Sequence, residues 1–164
     1  DDGTAFTHTI AYTIRGLQES ARITQEYDRY EKPLENTINV VYRKSELANG
    51  KLDAKYDQNW RGLGNYTCLT GNVQLAICLA LFEKNHNDLR LINAATKLID
   101  YVLSVQSLKS PMRGINGAVP GSWPIWGKYM FLRYPNWSAK YLCDSIMIIM
   151  DRIKYELKEN DSKK

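Results

Sequence analysis

From Thr7 to Gln25, Ile10, Ile14, Leu17 and Ala21 recur at the spacing of one helix face. Thr7 or Thr9 is the natural cap for that helix. A second apolar stripe, Leu34, Ile38, Val41 and Tyr42, predicts a helix over 33–47. Pro33 suits its first turn, where a missing N–H is harmless, and Asn49-Gly50 suits a left-handed stop. Between Thr70 and Lys84 the apolar positions Val73, Leu75, Ala76, Ile77, Leu79, Ala80 and Phe82 leave almost no polar face, the mark of a helix buried nearly all round. After an Asn87 or Asp88 cap, Leu91, Ile92, Ala95, Leu98, Ile99, Val102 and Leu103 define a fourth helix. Trp137, Tyr141, Ile146, Ile149 and Ile153 define a fifth, from Asn136 to Leu157. No alternating stretch predicts a strand.

Two long segments rich in glycine and aromatics, 50–66 and 107–135, separate these helices. Each starts near a Gly and sets Trp among further glycines, and loops of this length in a compact domain are usually functional. His8, Leu69 and Trp137 recur at intervals of 61 and 68 residues, which reads as a repeat of helical hairpins. The expected architecture is therefore all-α: a single domain over 1–164 with about five main helices, forming an arc of an α/α toroid. Helices one, three and five would be inner and helices two and four outer. Both long loops would then emerge at one end. Residues 158–164, of mixed charge, read as a flexible tail.

Composition narrows the function classes. With 44% hydrophobic and 24% charged residues, the chain of 164 is ordinary for a globular protein with a real core. A net charge of +4, with basic residues scattered, argues against a nucleic-acid partner. No apolar run approaches the ~20 residues of a membrane span. Cys68, Cys78 and Cys143 lie in apolar helical stretches and read as buried free thiols, which implies a reducing, cytoplasmic setting. Two sequons, at Asn65 and Asn136, carry little weight. Asp1-Asp2-Gly3-Thr4 looks like neither a signal peptide nor a natural start, so the chain reads as a processed product or a segment of a longer protein.

Four stretches carry a resemblance: 7–20 (THTIAYTIRGLQES), 68–76 (CLTGNVQLA), 121–129 (GSWPIWGKY) and 134–140 (YPNWSAK). Together they resemble the C-terminal part of a bacterial and archaeal α/α-toroid family associated with polysaccharide gene clusters. That family is similar to the prenyltransferase and squalene-cyclase repeat superfamily. The resemblance spans about residues 4–150. It implies an arc that needs more helices than five, supplied by missing N-terminal helices or by self-association. Within the wider superfamily, terpene cyclases carry an Asp-x-Asp-Asp motif, which this sequence lacks. Protein prenyltransferases bind zinc through Asp, Cys and His. Asp57, Cys68 and His8 lack diagnostic spacing, so no metal and no cofactor is expected.

If the helices alternate as described, three inner-helix N-termini share one rim with free N–H groups, a natural anion site. The candidate binding residues there are Thr70, Asn72, Gln74, Trp60, Trp123, Trp126, Tyr129, Arg133, Asn136, Trp137 and Lys140. His8 or Asp57 is the candidate general base, with Tyr12 or Tyr66 as acid partner. That set suits proton abstraction beside a uronate carboxyl, as in a lyase or epimerase. Facing carboxylates for a glycosidase are lacking, since Asp53 is the only neighbour of Asp57 and Asp144 reads as buried. The substrate would be an anionic glycan or its precursor. Each residue also has a structural reading: His8, Thr70 and Asn72 as caps, Trp123 and Trp126 as hydrophobic pegs, Asp57 paired with Arg61 or Lys55, and Lys140 paired with Asp144. A non-catalytic glycan-binding module and an isoprenoid enzyme are the alternative functions.

Overall fold

The computed structural model describes residues 3–162, and the side chains of 3–155. In chain order the elements are β1 (Thr4–Phe6), α1 (Thr7–Thr24), the single turn α2 (Tyr27–Tyr30), α3 (Glu35–Leu47), β2 (Lys55–Asp57), β3 (Gly62–Leu63), β4 (Thr67–Cys68), α4 (Leu69–His86), α5 (Arg90–Ser104), β5 (Ser122–Trp123) and α6 (Asn136–Ser162). The five expected helices are present. The last two residues of the expected tail lie outside the described residues.

α4 is the axis of the fold. Every residue from Leu69 to Ala80 is buried, and each Leu or Ile so buried contributes about 1.5–3 kcal/mol. It packs on α1 and α6 within one layer and on α5 and α3 in the other. The three helices of the first layer run parallel. Near their starts, Thr70 Oγ1 and Ser138 Oγ share a hydrogen bond of 2.6 Å. Further along, Gln18 Nε2 donates to the Cys78 carbonyl at 3.0 Å. Near their ends, Arg152 Nε donates to Glu83 Oε2 at 2.6 Å. α5 buries Leu91, Ile92, Ala94, Ala95, Leu98, Ile99 and Val102 and leaves Leu103 exposed.

The chain is mostly helical rather than wholly so. β1, β2 and β3 form one small antiparallel sheet, with Thr4 opposite Asp57 and Phe6 opposite Lys55. β4 and β5 form another, with Cys68 opposite Ser122. Strands of two or three residues are too short to show alternation, and the partners in the β1–β2 and β4–β5 pairs lie roughly fifty residues apart in the chain. Pro33 falls in a 3-10 turn at Lys32–Leu34, one turn ahead of α3. Asn49 and Gly50 do adopt left-handed geometry, with φ of 46° and 81°.

Several expected details are corrected. α1 starts after Phe6, and neither Thr7 nor Thr9 caps it with its side chain. Asn87 ends α4 in left-handed geometry instead of starting α5. Cys68 and Cys78 are buried free thiols, but Cys143 is exposed. It lies on the solvent face of α6 with Met147 and Met150, both at least half exposed. Asp144 is only partly buried and pairs with Lys140. Among the described residues, no helix is long and apolar enough to cross a membrane.

Candidate functional site

The starts of α1, α4 and α6 meet at one end of the molecule. Gly71 makes the approach possible: a Cβ there would fall on Thr7 Oγ1 and lie 2.7 Å from the His8 amide nitrogen. Cys68 sits between the two helices. Its sulfur accepts from the Gly71 amide at 3.4 Å, and the amides of His8 and Thr70 and the Thr7 hydroxyl also point to it. Burial nevertheless pushes the Cys68 thiol up to about 12, so it acts as a neutral cap. The Thr7 amide donates to the Ala54 carbonyl, that of Leu69 to Gly121 and that of Ser138 to Pro135. Most of the N–H groups at this rim are thus used internally, and the expected anion site at free helix ends is largely filled by the protein itself.

What the rim offers instead is an aromatic cluster around His8. The imidazole centroid lies 4.6 Å from the Tyr129 ring, 5.3 Å from Phe6 and 6.2 Å edge-on from Tyr12. Its Nδ1 is 3.8 Å from Cys68 Sγ. Burial lowers the His8 pKa below its ordinary 6.5, because a charged imidazolium loses solvation there. Trp137 Nε1 donates to the Tyr129 hydroxyl at 3.2 Å. Burial raises the Tyr129 pKa, with the Trp137 bond opposing it. Tyr141, which the sequence presents only as part of the α6 stripe, joins the cluster beside Tyr12 and Gln74, and the neighbouring Tyr12 hydroxyl together with burial raises its pKa. Gln74 is buried, and its Oε1 has no protein partner.

The second long loop is fastened to this end. The Gly121 amide donates to the Arg133 carbonyl, and Ser122 Oγ donates to the Tyr129 carbonyl. These bonds close a lobe that carries Trp123, Trp126 and Tyr129. Trp126 is 66% exposed, too open to serve as a peg. Trp123 and Trp137 are each 41% exposed.

The expected site residues divide into two groups. His8, Tyr12, Thr70, Gln74, Tyr129 and Trp137 come together. Asn136 and Lys140 lie exposed on the same first turns of α6, and Arg133 is exposed in the adjoining loop. The Lys140 ammonium pairs with Asp144 and lies over the Tyr141 ring at 4.4 Å. Asp57 stands apart from the cluster: it is opposite Thr4, at the end of the hairpin remote from α1. Its Oδ1 accepts the amides of Asn59 and Arg61, both at 2.8 Å, so the carboxylate shapes a turn. The trio of Asp57, Cys68 and His8 therefore does not assemble. Trp60 packs on Tyr56 with centroids 5.6 Å apart. Asn72 points away from the rim and donates to the Gly50 carbonyl. Tyr66 lies under Gly127, whose Cβ would come within 2.5 Å of its ring.

A cavity of about 690 Å³ lies near the other end of α4 and α6. Its guanidinium, Arg152, is already engaged by Glu83, so the opening offers less binding chemistry than the rim. Compared with family models, curated proteins and solved structures, the chain matches none.

Proposed function

We propose that the rim is a carbohydrate site where His8 acts as general base on an anionic, uronic-acid-containing glycan, within an arc of an α/α toroid. The observation that carries this reading is the half-buried imidazole, kept neutral by burial and set against the phenols of Tyr129 and Tyr12. A neutral imidazole accepts a proton, and a phenol within reach returns one. In a uronate the proton at C5 is acidified by the adjacent carboxyl. His8 would remove it, and Tyr12, which is more than half exposed, would protonate the leaving oxygen at C4 in a lyase or return a proton at C5 in an epimerase. Three parallel helices in one layer with two behind them support the arc.

Base chemistry requires the His8 Nε2 lone pair to face the rim while Nδ1–H faces Cys68 Sγ. The test is turnover of hexuronate oligosaccharides in deuterated water. A lyase yields the unsaturated ring and an epimerase places deuterium at C5. His8→Asn should lower the rate about 10²–10⁴-fold. The acid limb of the profile should fall below the ordinary 6.5, the direction in which burial moves this group. The stability sign agrees. Between the folded and unfolded pKa values the unfolded chain binds the extra proton, so stability falls as pH drops from 6.5 through the folded value. Full turnover in His8→Asn would end the base assignment.

Among the described residues no carboxylate is positioned at the rim, which favours a second reading, a binding module without catalysis. Asp57 is committed to its turn and Asp144 to Lys140. In that case His8 carries its proton on Nε2 and serves as a donor, which nitrogen-15 chemical shifts of the imidazole distinguish directly.

A further inference from the structure

Beside the His8 cluster a groove of about 620 Å³ runs between the β2–β3 hairpin and the loop after β5. That size is within the range of ligand pockets. Phe6 belongs to both places: it lines the groove and its ring lies 6.0 Å from Tyr129. The groove therefore continues from the rim.

Its construction is specific. Tyr66 forms the floor, held between Gly64 and Gly127, where any Cβ would come within 3.0 Å and 2.5 Å of the tyrosine ring. Lys55 stands on one side, its ammonium 4.5 Å above the Phe6 ring and 3.4 Å from Thr4 Oγ1. Lys128 stands on the other, next to Trp126. Among the described residues that line the groove, two are lysines and none is acidic. Trp126 stands at the wall two-thirds exposed, and a free indole face in water is unfavourable unless something covers it.

We infer that this groove is a subsite for a carboxylate-bearing pyranose, one or two residues along the glycan from the sugar at His8. The inference rests on the carbohydrate reading of the rim and extends it. The sugar's C–H face lies on Trp126, the Asn65 amide meets its hydroxyls, and the carboxylate lies at Lys128. Such charges act in a partly enclosed groove, where they are screened less than on open surface. A side chain at 127 would press on Tyr66 and Ser122, and Gly64 holds a φ of +95° that larger residues rarely adopt, so the floor is fixed in place.

The experiment is calorimetric titration of the whole chain with a trimeric hexuronate and with a neutral trisaccharide of the same linkage. Trp126→Ala and Lys128→Gln are compared with the parent, and both positions are exposed enough to leave folding intact. Trp126→Ala should weaken both ligands by about tenfold or more. Lys128→Gln should weaken the hexuronate about three- to tenfold, leave the neutral sugar unchanged, and reduce the salt dependence of binding. If the parent binds the hexuronate and both variants bind it equally well, the subsite is wrong while the rim reading stands. If the variants lose binding but His8→Asn keeps full turnover, the subsite stands and the base assignment falls. A parent that does not bind the hexuronate removes both.

Discussion

The two ends of α4 treat polar groups in opposite ways. At its C-terminal end, Glu83 is fully buried and receives both Arg152 Nε and Arg152 Nη2, at 2.6 and 2.8 Å. Glu31, 2% exposed, receives the Asn85 amide on both oxygens, with His86 Nε2 at 3.6 Å. His86 is itself stacked on Phe82 at 4.0 Å. Each buried charge there is answered by a dedicated partner from another helix or loop. At the N-terminal end the buried groups are neutral, a thiol, hydroxyls, amides and an imidazole, and large aromatic faces remain exposed. Gln74 Oε1 and Thr67 Oγ1 are buried there without a protein partner. The polarity at one end is spent on holding the fold, while the other end keeps hydrogen-bonding capacity and ring surface for something else.

The strongest way to break this contrast is at Arg152. Arg152→Ala leaves Glu83 as an uncompensated charge in the core, which should destabilise the protein by about 3–5 kcal/mol. Equilibrium denaturation measures it. Replacing the pair together, Glu83→Leu with Arg152→Met, should recover most of that loss, because buried ion pairs contribute little beyond their mutual compensation. A single variant as stable as the parent would show that water reaches Glu83 and that the two ends do not differ in this way.

Gly71→Ala probes the other end. The new Cβ meets Thr7 Oγ1 and the His8 amide, so α1 must move away from α4. Overpacking of this kind costs about 1–3 kcal/mol. The movement carries His8 with it, so glycan turnover or binding should fall further than the stability change accounts for. Chemical-shift changes confined to the core, with the His8 signals untouched, would contradict the close coupling of the two helix starts.

The helices were legible because each buries a stripe that recurs at helical spacing. The short strands were not legible, because pairs such as Thr4 with Asp57 leave no local trace in either segment. Asp57 was read as a catalytic carboxylate from its type and its place in a long loop, and turn geometry alone reveals its actual use. Cys68 was placed as a buried thiol, yet its role between two helix starts depends on Gly71, which lets in a His8 that itself lies 60 residues from Cys68. Glu31 and Glu83 escaped notice for a related reason. A charged residue on a helix is usually solvated, and only the fold brings Arg152 to Glu83 across 69 residues.

The smallest expected effect sharpens the contrast most. Lys140 and Asp144 form an ion pair one helical turn apart on α6, with the lysine side chain 60% exposed. The Asp144 contact raises the Lys140 pKa, so the ammonium is charged throughout the working range. Exposed pairs at this spacing are worth about 0.3–0.5 kcal/mol, and Lys140→Ala should change stability by no more than that. At the far end the removal of a cation should cost about 3–5 kcal/mol, whereas here it should leave the fold alone. Under the carbohydrate reading, the same substitution still weakens an anionic glycan relative to a neutral one, because the ammonium lies over Tyr141, beside Tyr12 and Gln74. Titrating Lys140→Ala with both sugars separates these contributions. Unchanged affinity for each would make Lys140 a surface charge paired only with Asp144, and would confine glycan recognition at the rim to the His8 cluster and the neighbouring loop.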